Sequence, residues 1–212
     1  MDGGHAELSD EFREVIERRY AFATYFTGAC REREIGLPAD FLKLQFKDLI
    51  TPSGILITTL QGHTGYVYSL AVVGNKLCSG SDDSTIGVWD AATHQHITTL
   101  QGHTDRVRCL TVVGNKLYSG SYDRTIRVWD TATHQHITTL QGHTDYVWCL
   151  AVVGNKLYAG SDDSTIRVWD TDTHQHITTL QGHTDRVCCL AAVGNKLCSG
   201  SDDRTIRVWD SN

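Results

Sequence analysis

The 212-residue chain is 40% hydrophobic and 21% charged, the composition of a globular rather than a disordered protein. Nineteen Lys and Arg against 25 Asp and Glu leave a formal charge of -6, so no overall positive field drives sequence-independent nucleic-acid binding, and a nucleic-acid partner is not expected. The longest apolar run, Tyr146 to Val153, falls far short of the roughly 20 residues that span a bilayer, and the charged N-terminus lacks a signal-peptide core. The expected location is cytoplasmic or nuclear. Seven Cys is an odd number, and Cys109, Cys149 and Cys189 recur at one spacing, which reads as small apolar packing residues in a reducing compartment.

Residues 1–50 read as a helical N-terminal segment. Ser9-Asp10-Glu11 can cap a helix whose apolar stripe includes Phe12, Val15, Ile16 and Tyr20; Gly36 and Pro38 break the pattern. Asp40 can cap a second short helix carrying Phe41, Leu42, Leu44, Phe46, Leu49 and Ile50, and residues 51–54, Thr-Pro-Ser-Gly, form a linker. The run Leu37 to Phe46, LPADFLKLQF, resembles the opening of an F-box, the helical motif that tethers substrate receptors to ubiquitin ligases. A helical cap on the first strands, or a fragment of a larger upstream domain, explains the same residues.

From residue 51 the chain repeats every forty residues: 51–90, 91–130, 131–170 and 171–210. Gly-His pairs at 62, 102, 142 and 182 and Trp-Asp pairs at 89, 129, 169 and 209 keep this spacing without insertion, and the last two copies match at 33 of 40 positions. A period near two, with turn residues about every ten positions, predicts short antiparallel strands. In the second copy these are His96 to Leu100, Val107 to Val113, Lys116 to Ser121 and Thr125 to Trp129, with Gly114-Asn115 supplying positive φ to a two-residue hairpin. Four strands in forty residues cannot bury both faces alone, so each copy must stack on its neighbours.

The stretch Gly102 to Asp130, GHTDRVRCLTVVGNKLYSGSYDRTIRVWD, resembles a WD-repeat unit, and the resemblance covers residues 55–212. It implies an all-β fold, a WD-repeat β-propeller of four blades. Each repeat would be offset from its blade, so that residues 55–60 complete the blade begun by Val187, Lys196 and Thr205 and close the ring through a shared sheet. Most such propellers have more blades. A small four-bladed ring, an open arc, half of a composite ring completed by a homodimer, and a truncated product of a longer gene all fit the residues, and unpaired edges on an arc favour association.

His63, Ser79, Asp83 and Trp89 have the inventory of a Ser-His-Asp site. The family pattern instead makes them a hydrogen-bonded structural tetrad, repeated as His103, Ser119, Asp123, Trp129 and as His183, Ser199, Asp203, Trp209. The third set, His143, Asp163 and Trp169, has Ala159 in place of Ser, which should weaken that blade. A constellation present in every copy has no reason to be placed as a nucleophile, so no catalytic residue and no enzyme activity are expected. The pairs His94/His96, His134/His136 and His174/His176 bring two nitrogens each, too few for a tetrahedral metal site, and neither metal nor cofactor is expected. In the family His94 stands where Gly is usual, at a turn.

Differences between copies concentrate at two positions after Gly-His, three and five residues past the His, and at the residue before the tetrad Asp: Tyr66, Tyr68, Asp82; Arg106, Arg108, Tyr122; Tyr146, Trp148, Asp162; Arg186, Cys188, Asp202. In the family these positions line the face around the central channel. Arg, Tyr and Trp are the types enriched at binding hot spots. The expected function is a non-catalytic protein-protein interaction scaffold presenting this face to a protein or peptide, with the arginines favouring an acidic or phosphorylated segment. The alternative is a substrate-recognition subunit of a ubiquitin ligase.

Overall fold

The computed structural model describes residues 56–211. The predicted helices, the linker and the F-box-like run lie outside the described residues. The repeats form a unit of their own, from Thr58 onward.

Among the described residues, fifteen strands build four antiparallel sheets, each in chain order. The first blade contains β1 (Val67–Val73), β2 (Lys76–Ser81), β3 (Ile86–Asp90) and β4 (His96–Leu100). The second contains β5 (Val107–Val113), β6 (Lys116–Ser121), β7 (Ile126–Asp130) and β8 (His136–Leu140), and the third contains β9 (Val147–Val153), β10 (Lys156–Ser161), β11 (Ile166–Asp170) and β12 (His176–Leu180). The fourth has only β13 (Val187–Val193), β14 (Lys196–Ser201) and β15 (Ile206–Asp210).

Three of the four strand readings in the second copy match to the residue. The exception begins one residue later, at Ile126. Thr125 is engaged in the preceding turn, where its N–H and hydroxyl both donate to the Asp123 carboxylate, at 3.0 and 2.6 Å. The hairpin between β5 and β6 also differs in detail. Gly114 alone takes positive φ, +57°, with Val113 opposite Lys116, which is the pattern of a type II′ turn with Gly at its first central position.

Blades stack face to face through three apolar seams. Cys78, Ile86 and Val88 of the first blade meet Val107, Leu117 and Trp129 of the second. Tyr118, Ile126 and Val128 then meet Val147, Leu157 and Trp169, and Tyr158, Ile166 and Val168 meet Val187 and Leu197. Innermost strands run β1 against β5, β5 against β9 and β9 against β13, but among the described residues no comparable packing joins β13 to β1. The four blades therefore make an open arc rather than a small ring. This corrects the expectation for residues 55–60: Leu56–Leu60 are not in a strand, and the last sheet has three strands, not four. Those residues lead directly into β1, so they could reach β15 only if the first blade came round to the last.

Candidate partner-binding face

The Gly-His loop precedes the innermost strand, and the tetrad fastens it to its own sheet. In the first blade His63 Nδ1–H donates to Asp83 at 2.9 Å, the Ser79 hydroxyl donates to His63 Nε2 at 2.8 Å, and Trp89 Nε1–H donates to Ser79 at 2.9 Å. This tautomer leaves each group satisfied. Second and fourth blades repeat it through His103, Asp123, Ser119 and Trp129 and through His183, Asp203, Ser199 and Trp209. In the third blade His143 keeps Asp163 at 2.8 Å, but its Nε2 faces the Ala159 carbonyl at 3.2 Å, so the ring meets an acceptor at both nitrogens.

Burial opposes ionisation of Asp83, Asp123 and Asp163. Hydrogen bonds nevertheless hold all three well below the usual carboxylate range, led by the Thr85 hydroxyl at Asp83 and by the imidazole at the other two. Asp203 is lowered chiefly by the Thr205 hydroxyl. Ser119 and Ser199 are buried, with each oxygen already holding an indole and an imidazole. In the first blade Gly87 stands where Arg127, Arg167 and Arg207 stand in the others, and a cleft of about 210 Å³ opens beside His63, Asp83 and Trp89.

One position of each innermost strand is an extra residue in the ladder. Val67 pairs with Ser81 and Ser69 with Gly80, so Tyr68 is a bulge; Arg108, Trp148 and Cys188 occupy the same place in the other blades. A bulge frees a side chain from the pleat and re-aims it. These four are among the positions where the copies differ. The sequence alone reveals that they vary; the bulge that presents them becomes visible only in the strand pairing.

Eleven of the twelve face residues are joined by side-chain contacts within or between blades, and Tyr66 is exposed. Tyr68 donates to Asp82 at 2.9 Å, and Arg106 pairs with Asp82 at 2.6 Å across the blade boundary. Tyr122 stacks on Tyr146 with ring centroids 4.4 Å apart, and Trp148 tilts against Tyr122 at 5.3 Å. Arg186 pairs with Asp162 at 3.3 Å and Asp202 at 2.6 Å and lies over Trp148 at 4.3 Å. The Cys188 thiol donates to Asp202, and burial together with that bond pushes it up to about 11. Arg108 differs from the other two arginines. Its guanidinium lies between the rings of Tyr68 and Trp148, at 5.2 and 5.0 Å, and no carboxylate pairs with it among the described residues. Trp148 Nε1 is buried there without an acceptor.

The histidine pairs lie elsewhere. His94, His134 and His174 sit in turns at φ near +60°, while His96, His136 and His176 contact Thr99, Thr139 and Thr179. Among the described residues no group of three His, Cys, Asp or Glu could hold a metal ion, and no helix is long and apolar enough to cross a membrane.

A family model described as WD domain, G-beta repeat matches residues 54–90, 94–130, 134–170 and 174–210. The F-box/WD repeat-containing protein 9 of Bos taurus is 44% identical over 48 residues, 20% of this chain and 10% of that protein. The WD repeat-containing protein pop1 of Schizosaccharomyces pombe is 44% identical over 43 residues, 20% of this chain and 6% of that one. The chain thus matches a tenth or less of the length of these relatives. Among solved structures, the computationally designed Ika4 protein superimposes with a TM-score of 0.70 at 35% identity, over 75% of this chain and 99% of that one. U3-55K superimposes with a TM-score of 0.68 at 28% identity, over 71% of this chain and 50% of that one. Repeat motif, antiparallel blades and a family model spanning most of the chain agree: the protein belongs to the WD40 family, the WD domain, G-beta repeat proteins.

Proposed function

We propose that the arc is a non-catalytic scaffold whose bulge-bearing face binds a protein or peptide segment carrying an acidic or phosphorylated group. One observation carries the reading: Arg108 is held between two aromatic rings and no carboxylate among the described residues pairs with it, while Arg106 and Arg186 are already matched to aspartates. A guanidinium fixed in this way loses little freedom on engaging a carboxylate or phosphate, and Tyr66, Tyr146 and Trp148 add apolar contact. Three arginines facing three aspartates leave the face without the excess positive charge that a nucleic acid would require.

Arrays of acidic and phosphoserine peptides, with binding in solution read by Trp fluorescence, test the reading. Arg108→Ala should weaken the best binder about tenfold or more and flatten its salt dependence. Binding that is indifferent to Arg108→Ala removes the proposal.

The ubiquitin-ligase reading stands second. It is supported by the run Leu37 to Phe46 and by the name of the Bos taurus relative. Capture of a ligase adaptor by the full chain, lost when Leu37, Phe41 and Leu44 are all changed to Ala, would favour it. The free thiols among the described residues, Cys78 and Cys109 included, support a cytoplasmic or nuclear location. A homodimer is the association proposed for the two ends of the arc.

A further inference from the structure

The two ends of the arc each leave bare a face that every other blade covers. Val67 is 50% exposed, whereas Val107, Val147 and Val187 are at 0%. Ile206 is 79% exposed, whereas Ile86, Ile126 and Ile166 are at 1% or less. Leu70 and Val72 on the first blade and Val193 and Val208 on the last are likewise exposed. These are the two halves of the seam that the chain already forms three times.

Finer fittings of that seam are present and unmatched. A Cβ at Gly80, Gly120 or Gly160 would strike Val107, Val147 or Val187 of the next blade at 2.7–2.8 Å; at Gly200 it would meet only Cys189 of its own blade. Lys76, Lys116 and Lys156 donate to carbonyls of Thr131, Thr171 and Ser211 in the next blade, but Lys196 is exposed and has no such acceptor among the described residues. The outer strand is missing as well. β4, β8 and β12 end in Ile-Thr-Thr-Leu; the same four residues, 57–60, precede β1 outside any strand, and among the described residues β15 has no neighbour on its far side.

We infer that two copies join head to tail, residues 57–60 of each forming the fourth strand on β15 of the other, so that two chains close one eight-bladed ring. This rests on the proposed homodimer and specifies its seam. Regular blades that closed at four would turn a quarter circle each. Among the described residues these do not close at four, and eight lies within the range that propellers adopt. The seam is heterologous, so closure after two copies yields a ring rather than a filament. The third blade supplies the register: Ile166 faces Leu180 and Arg167 faces Thr179, so Ile206 faces Leu60 and Arg207 faces Thr59 of the other copy.

Light scattering of the full chain at micromolar concentration should give twice 23.6 kDa. Thr58→Pro, which removes the ladder donor facing Val208 as Thr178 faces Val168, and Ile206→Asp, which places a carboxylate in the seam, should each weaken association by on the order of a hundredfold or more while leaving the circular dichroism unchanged. Val67→Asp alone should do the same, yet mixing it with Ile206→Asp should restore a dimer, because one of the two seams is then intact. Arg108→Ala should keep the doubled mass, which separates this seam from the peptide face. Alkylation mapped by mass spectrometry gives an independent readout: Cys198, the counterpart of buried Cys78, should be protected in the wild type and labelled in Ile206→Asp. A single-chain mass removes both the homodimer and the shared strand. A doubled mass that survives Thr58→Pro and Ile206→Asp keeps the homodimer and overturns the seam. Masses that grow without limit overturn the closed ring.

Discussion

Each tetrad is a small electrostatic balance in which the serine hydroxyl decides whether imidazole and indole are both satisfied. Ala159 removes that bridge, so Ala159→Ser should stabilise the protein by about 1 kcal/mol, read as a shift in the urea midpoint. The tetrad aspartates also set the acid limit. Their native pKa values lie below those of the unfolded chain, so their contribution is present above about pH 4 and is lost as pH falls through the native values. On their account the midpoint should stay level between pH 7 and 5 and drop below pH 4, with a shallower drop in Asp123→Asn. The resemblance to a WD-repeat unit supplied the reading as a tetrad, and the recurrence of Gly-His, Ser, Asp and Trp at fixed spacing was legible in the sequence. Arg108's unpaired state was not, because it depends on which aspartates the neighbouring arginines reach across blade boundaries.

Among the elements, strand bounds were legible wherever alternation and a Gly turn agreed, as in β5 and β6. They slipped at β7, where a side chain bound to the preceding turn competes with the ladder. The bulges were invisible because an extra residue changes neither composition nor period enough to show in seven positions. Seams between blades carry the packing energy. Ile126→Ala, at a position only 1% exposed, should cost about 2–5 kcal/mol by calorimetry or denaturant unfolding. The buried thiols give a second check. Burial pushes Cys78 up to about 11 and Cys109 up to about 12, so iodoacetamide at mildly alkaline pH should leave both unlabelled until the protein unfolds.

At the scale of the whole repeat unit, a period of forty made the architecture legible, but the open ends were not. Near-identical copies say how blade meets blade and nothing about the angle between them, and that angle decides closure. The bulge posts at 68, 108, 148 and 188 have a different consequence. No ladder bond depends on the identity of their side chains, so substitutions there, though they lose the face contacts of Tyr68, Arg108 and Trp148, should cost less stability than Ile126→Ala while changing what is captured. A library randomised at those four sites, sorted first for folding and then for peptide capture, should lose few members at the first step. Stability and recognition would then rest on different residues of the same blades.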